Sequence, residues 1–324
     1  MSGINSTGKY GPAAIATMPL LHQGKTRDTF WAKWPSSSGR RPPRLIVASD
    51  RISTHNVVHK SVIPFKGEVL TALTVYWLTH VLDHVRVPHH LRAYGSDIFR
   101  FLSGKQGDYP NKLHHRAIVV LTLEMVAIEF IFRMYLTGSL WKDYYSKGLP
   151  NPYGIILPQG LPLMSMLHKN IGFDAPLFTP TEKSETDEPL DSAGVRKTHS
   201  GATHLTRQVF NLGRRVLNSV GLEGVDSKFE VGYDDDGILR VGDEVWTGDS
   251  SRIVALSDIK EGQDPKWRDK QLARDEAERI WAGGKKVPLE FSPEIIKQLS
   301  DTYLELFEQI TGQSLANFQR QHLS

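Results

Sequence analysis

KFEVGYDDDGILRVGDEVWTGDSSR, residues 228–252, alternates apolar and polar side chains on either side of Asp236-Gly237. That dipeptide between two alternating runs is the strongest short-range mark of a β-hairpin. A two-residue turn pairs Asp235 with Ile238 and sets Glu230 opposite Asp243; a four-residue turn sets Lys228 opposite Asp243 instead. Either register leaves Lys228, Glu230 and Asp243 on one face, because side chains alternate with period two. Two carboxylates crowded on one face repel unless a cation sits between them. Lys228 supplies part of that charge and Mg²⁺ suits the rest, since it takes one or two carboxylates with water and phosphate oxygens. The loop after the hairpin brings Asp249, Ser250, Ser251 and Arg252 to a strand end, where anion-binding groups commonly lie. A solvated hairpin with surface charges fits the same stretch, so the remaining segments decide.

A chain of 324 residues can bury a sizeable core and is long enough for two domains or lobes. With 23% charged and 40% hydrophobic residues it has the composition of an ordinary globular protein. A formal charge of +3, with no basic helix or RNA-binding signature, argues against a nucleic-acid binder. The absence of cysteine excludes disulfides, thiol catalysis and Cys-ligated zinc. The first 20 residues lack a secretory signal pattern, so a cytoplasmic protein is expected. Residues 117–136, AIVVLTLEMVAIEFIFRMYL, match a membrane span in length but contain Glu124, Glu129 and Arg133, each costly in a bilayer. The same window alternates, with Ile128, Phe130, Phe132 and Met134 on one side and Glu129, Ile131, Arg133 and Tyr135 on the other. Two strands, and no membrane segment, are the expectation.

Residues 1–18 read as loose. Gly24, Lys25, Arg27 and Asp28 then sit in a turn between apolar segments, where a glycine lets backbone and cations approach phosphates; a charged surface turn is the competing reading. PSSSGRRPP at 35–43 reads as a hairpin-like loop. RLIVASDRIS at 44–53 is a buried strand ending in Ser49, Asp50 and Arg51, a site edge or an internal ion pair. A helix follows, with Leu70, Leu73, Trp77, Val81 and His84 along its inner stripe. Lys66 just before it is unfavourable without an anion nearby. His89-His90 and His114-His115 read as surface residues, since strand neighbours face opposite ways. Arg133 beside a Thr137-Gly138-Ser139 turn suits a carboxylate or phosphate, or else pairs with Glu129. Residues 150–201 carry a long polar segment expected to be a substrate loop or an insert. An amphipathic helix from 202 ends near Gly221, and C-terminal helices follow at 267–281 and from Ser292, a cap preceding Pro293.

The order of GKTRD (24–28), SDRIS (49–53), IPFKGEVLT (63–71), YLTGSLW (135–141), LFTPTEK (177–183), KFEVG (228–232), DEVWTGDSSR (243–252) and DKQLARD (269–275) resembles the SAICAR synthetase (phosphoribosylaminoimidazole-succinocarboxamide synthase) family of purine biosynthesis. The resemblance spans most of the chain. It implies an α+β, kinase- or ATP-grasp-like two-lobed fold of antiparallel sheets with flanking helices, divided here into 1–122 and 123–324. The implied activity is ATP-dependent ligation of a carboxylate on an aminoimidazole ribotide to the amine of L-aspartate. ATP and Mg²⁺ are then required, with a small-molecule acid and amine as partners; nothing in the chain fixes an oligomeric state. Carried over by position, Gly24, Lys25 and Arg27 cover the nucleotide phosphates, and Glu230 and Asp243 hold the metal. Arg133, Ser139, Arg252, Asn56 and Ser250 grip the ribotide and its neighbours, with catalytic Asp226, Lys228 and Asp249 lining the centre.

Several positions depart from the family pattern. Thr54, His55 and Asn56 stand where Ala, an aromatic and Asp are usual. SETDEPLD at 184–191 lacks the usual His-Asp pair, Gly248 replaces a proline, Ile253 an aromatic, and Met134 the glycine of Arg-Gly-Tyr. Losing the charge at Asn56 predicts weak activity on the family substrates, unless His55 or the acidic run Glu185–Asp191 replaces it. A relative using another acid or amine is one alternative. A phosphotransferase is another, although no His-Arg-Asp loop or Asp-Phe-Gly is present.

Overall fold

The structure, a computed structural model, describes residues 18–34, 39–146, 153–167, 176–184 and 186–324. The expectations for residues 1–17, for 35–38 of the Ser-rich loop, for the remaining gaps in 147–175 and for Glu185 lie outside the described residues. The strands are β1 (Leu20–Gln23), β2 (Arg27–Trp31), β3 (Arg44–Ala48), β4 (Arg51–Thr54), β5 (Val57–Val62), β6 (Leu91–Tyr94) and β7 (Ala117–Val120). They continue as β8 (Glu124–Met125), β9 (Ile128–Arg133), β10 (Leu177–Phe178), β11 (Thr181–Glu182), β12 (Leu222–Tyr233), β13 (Leu239–Gly242) and β14 (Ser251–Ala255).

One sheet has five strands in the order β1-β2-β3-β7-β6, all from residues 20–120. A second has seven, ordered β10-β9-β12-β13, with β11 beside β9 and with β8 and β14 beside β12. Neighbouring strands are antiparallel throughout, for example Arg133 opposite Asp226 and Ile131 opposite Lys228. The period-two window therefore holds no membrane helix: Ile128, Phe130 and Phe132 are buried on one face of β9, which leaves Glu129 and Arg133 on the other. No described helix is long and apolar enough to cross a membrane.

The helix Lys66–Val75 runs on through Tyr76–Leu82 to Val85 and is buried on nearly every side at its start. Leu70, Leu73, Trp77 and Val81 face the core as expected, but His84 is exposed because the winding tightens after Leu82. Helices Ser200–Ser219, Gln271–Trp281 and Pro293–Thr311 pack around the sheets; Ser292 caps the last through its hydroxyl, which accepts from Ile295 N at 3.3 Å. The main buried cluster takes Ile52, Leu70, Trp77 and Ile118 together with Phe130, Phe229, Trp246 and Phe307. Elements from before and after residue 122 thus share one core.

The turn of the hairpin differs from both expected registers. Asp234 N donates to Ile238 O at 3.0 Å, and Glu230 lies opposite Gly242. The loop has three residues, 235–237. The Asp234 carboxylate accepts from the amides of Asp236 and Ile238, both at 2.9 Å, and Gly237 closes the turn at φ 73°, a conformation glycine adopts without strain. A shift of one residue moves a regular strand's side chains to the other face. Asp243 escapes that rule because β13 ends at Gly242 and Asp243 adopts φ 52°.

The histidine pairs are not simply surface residues. His90 is 4% exposed, and its backbone ties the sheets together: His90 N donates to Val241 O at 3.0 Å and its carbonyl accepts from Leu121 N at 2.8 Å. Burial, then the neighbouring His89, depresses its imidazole to about 3, although a hydrogen bond to the Asp243 backbone, and more weakly Glu230, pull the other way. Unfolded, it would titrate near 6.5, so below that pH the unfolded chain binds a proton that the folded chain refuses. The stability tied to His90 is complete above pH 6.5 and falls as pH drops toward 3. Urea unfolding at pH 7 and pH 5 should show His90→Phe losing about 2 kcal/mol less than the parent between the two; equal losses would mean that His90 is protonated in the fold.

Candidate active site

The residues singled out by the hairpin converge along one face of the seven-stranded sheet and the strand ends beside it. Lys228 on β12 donates to Glu129 on β9 at 2.7 Å and to Glu230, two residues along its own strand, at 3.1 Å. Burial opposes the ammonium, but Glu230 and Glu129 outweigh it and hold Lys228 protonated well above its usual range. Lys183, from the loop after β11, pairs with the second Glu230 oxygen. Burial would raise the Glu230 carboxyl, yet the two lysines keep it low.

Asp243 is less well compensated. Among the described residues it pairs with Arg27 alone, at 3.5 Å, whose guanidinium is committed to Glu244 at 2.6 Å. Burial, then the Glu230 charge, pushes the Asp243 carboxyl up to about 6. Glu230 and Asp243 therefore carry more negative charge than the chain around them neutralises. That fits an added cation taking most of its ligands from water and phosphate, and no group of three or more acidic or histidine ligands exists among the described residues.

The β1–β2 turn is linked to Asp243 through Arg27 at the start of β2. Gly24 N closes the turn onto Arg27 O at 2.8 Å, and a Cβ at Gly24 would sit 2.5 Å from that oxygen. Lys25 Nζ reaches Asn56 Oδ1 at 2.5 Å, joining this turn to the β4–β5 turn. The motif Ser49–Ser53 proves to be structural: Arg51 forks onto Asp28 at 2.6 and 3.1 Å, and Asp50 accepts from Arg116 and from Gly67 N at the helix start, at 2.9 Å. The anion that Lys66 requires is also internal. Lys66, fully buried, donates to Asp249 Oδ2 at 2.7 Å.

On the other side of Lys228 lies a cavity of about 160 Å³ lined by Arg133, Asp226, Lys228, Asp249, Arg252 and Arg274, among others. Asp226 Oδ2 accepts from Arg133 at 2.9 Å and from Arg252 at 2.8 Å. The Arg133–Glu129 pair is thus not formed; Glu129 belongs to Lys228 and Thr181. Burial disfavours the Asp226 charge, but Arg252 and Arg133 hold it ionised. Ser139 accepts from Arg133 Nη2 at 3.2 Å from the first turn of helix Gly138–Ser146, where a turn was expected. Gly138, at φ 60°, lets the Arg252 guanidinium lie against the backbone; a Cβ would come within 2.6 Å of it. The Ser250 hydroxyl is drawn into a turn with Thr247 and Ser251. Asp249 has both oxygens engaged, by Lys66 and Thr26 on one and by Tyr303 at 2.5 Å on the other.

Sequence reading passed over Arg274, Lys183, Glu129, Lys270 and Asp187 as site residues. Arg274 and Lys270 were in view in DKQLARD and Lys183 in TPTEK, but a cation in a helical or polar run carries no local mark of direction. Burial brings Lys270 down to about 8, only partly opposed by Asp249. Asp187 comes from the polar loop, at φ 51°, and burial, then the Glu129 charge, raises its carboxyl.

An arginine-lined cavity joined through one lysine to an undercompensated carboxylate pair gives this α+β protein the charged cleft of an enzyme. The SAICAR synthetase family profile matches residues 20–290. A phosphoribosylaminoimidazole-succinocarboxamide synthase of Salinispora arenicola is 33% identical over 304 residues, covering 91% of this chain and 99% of its own. One from Bordetella pertussis is 35% identical over 277 residues, covering 83% and 87%. Among solved structures, the SAICAR synthase from Saccharomyces cerevisiae complexed with SAICAR superposes with a TM-score of 0.76 at 29% identity, covering 92% of this chain and 96% of that one. The chain belongs to the SAICAR synthetase family, and its fold is the one the resemblance implied.

Asp249→Asn should strand the Lys66 ammonium in the core and destabilise the protein by about 3 kcal/mol or more, whereas the double variant with Lys66→Met should recover most of the loss. Urea midpoints of the single and double variants check this; a single variant as stable as the parent would show that Asp249 does not anchor the helix.

Proposed function

We propose that the chain ligates the carboxylate of an aminoimidazole ribotide to the amine of L-aspartate with consumption of ATP, as a SAICAR synthetase. One observation carries the reading: Lys228 lines the arginine cavity while its ammonium bonds Glu230 of the carboxylate pair. An acid held by Arg133, Arg252 and Arg274 thereby meets a nucleotide phosphate held at Glu230 and Asp243, with a fixed positive charge between them. The sheet memberships support lobes at 1–122 and 123–324 with the nucleotide between them.

A carboxylate is a poor electrophile, so the acid oxygen first takes the γ-phosphoryl group as the bond to ADP breaks. The amine nitrogen then attacks the acyl carbon; a C–N bond forms, the C–O bond to phosphate breaks, and phosphate and a proton leave. The chain's part is positioning and charge. Lys25 and the Gly24 turn cover the phosphates, Lys228 steadies the transferring group, and Asp226 keeps Arg133 and Arg252 aimed into the cavity. Mg²⁺ held by Glu230 and Asp243 would offset phosphate charge. Lys183, paired with Glu230, adds positive charge beside the same carboxylates.

The neutral Asn56 does not leave its corner without negative charge, because Asp187 stands against it. The ground for expecting loss of the family substrates is therefore weaker than the sequence suggested, and the curated relatives do not favour another acid or amine. Asp243→Asn and Glu230→Gln should each lower kcat for ADP release about 100-fold or more with the fold intact. Phosphate release with ATP and the ribotide should depend on added L-aspartate; accumulation of a stable phosphorylated acid, with no amide, would replace the ligase reading by a kinase one.

A further inference from the structure

A second cavity, of about 370 Å³, opens beside the place where His90 and Val241 join the two sheets, and none of its lining residues belongs to the cleft described above. Its size is that of a small-molecule site, which typically spans ~300–1,000 Å³. Both sheets contribute walls. Arg92 comes from β6 and Thr122 from just after β7, while Asp234, Asp235, Asp236 and Arg240 come from the β12–β13 hairpin. The segment before β3 bridges them: Thr122 Oγ1 donates to Pro42 O at 2.5 Å, and Arg41 Nη2 donates to Tyr233 O at 3.1 Å. Trp34 supplies a flat apolar wall, held by stacking on Phe101 with centroids 6.5 Å apart and planes within 8°.

The charges lining this cavity do not balance. Four arginines meet three aspartates. Arg40 pairs with Asp236 at 2.9 Å and Arg240 with Asp234 at 2.5 Å, and Arg41 takes Asp235, whose other oxygen accepts from Arg41 N at 3.0 Å. Each aspartate thus has its own guanidinium. Arg92 is left over, with no hydrogen bond or ion pair among the described residues. A guanidinium presents a planar fork of donors that matches a carboxylate or a phosphate with two parallel hydrogen bonds.

We propose that this cavity binds a small organic anion, its carboxylate or phosphate held by Arg92 and its flat apolar body packed against Trp34. The site is separate from the reaction cleft. A ligand in it touches both sheets and so stabilises their junction by mass action.

Phenyl phosphate, benzoate and inorganic phosphate are the probes, added to the full chain with the nucleotide site filled by ADP. The reporter is the indole N–H resonance of Trp34 in ¹⁵N-labelled protein, assigned by its loss in Trp34→Phe. Phenyl phosphate or benzoate should move that signal to saturation in the millimolar range or below, and the tighter of the two tells phosphate from carboxylate. Arg92→Gln should weaken the binding about tenfold or more, as expected for loss of hydrogen bonds to a charged group, and Arg92→Lys should keep part of it. ADP affinity and the urea midpoint of the unliganded protein should stay at the parent values in both variants. A Trp34 signal that no probe moves overturns the proposal, as does equal affinity in Arg92→Gln and the parent. Inorganic phosphate binding as tightly as phenyl phosphate overturns the assignment of Trp34 to an organic body.

Discussion

The ammonium of Lys228, suspended between Glu129 and Glu230, is the contact on which the site depends. Its alternation of charge lets adjacent strands of one sheet carry several ionised groups with little water between them. Without it, Glu129 and Glu230 would repel across the β9–β12 pair, and the face would have to lose charge or lose pairing. The same ammonium borders the arginine cavity, so the cavity and the carboxylate pair share a single counter-charge. A similar economy holds at Asp226, whose one oxygen orients two guanidiniums, and at Asp249, which is shared by helix, turn and tyrosine.

These carboxylates divide by how completely they are matched. Asp226 and Asp249 are buried but surrounded by cations, and they remain ionised as fixed parts of the frame. Asp243 and Asp187 are undermatched, and burial lifts both carboxyls above their ordinary range. Groups of the first kind hold shape, while those of the second have interactions left to make.

How far the sequence could be read followed the range of the interaction concerned. Period two in Ile128–Arg133 showed a strand with Arg133 on its polar face, because alternation is local. The hairpin was legible in Asp236-Gly237, but its register was not: the Asp234 carboxylate adds a residue to the turn by binding two amides, and a run of three aspartates does not say which one does so. Lys66 announced that it needed an anion; that the anion is Asp249, 183 residues on, needed the fold. The polar segment around 177–191 looked like an insert because β10 and β11 have two residues each, too few to show a period. His90 was misplaced because strand alternation says nothing about a residue that bridges two sheets.

That bridge has a mechanical consequence. Val241 N donates to Pro88 O at 2.9 Å and its carbonyl accepts from His90 N, while the His90 carbonyl binds Leu121 at the end of β7. The hairpin bearing Glu230 is therefore stitched by backbone to the sheet bearing the Gly24 turn, and pulling the sheets apart on this side would break the seam. The seam makes one wall of the cleft stiff. On the opposite rim, Lys25 joins the Gly24 turn to Asn56 and Lys183 joins its loop to Glu230, and among the described residues side chains rather than backbone bonds make these contacts.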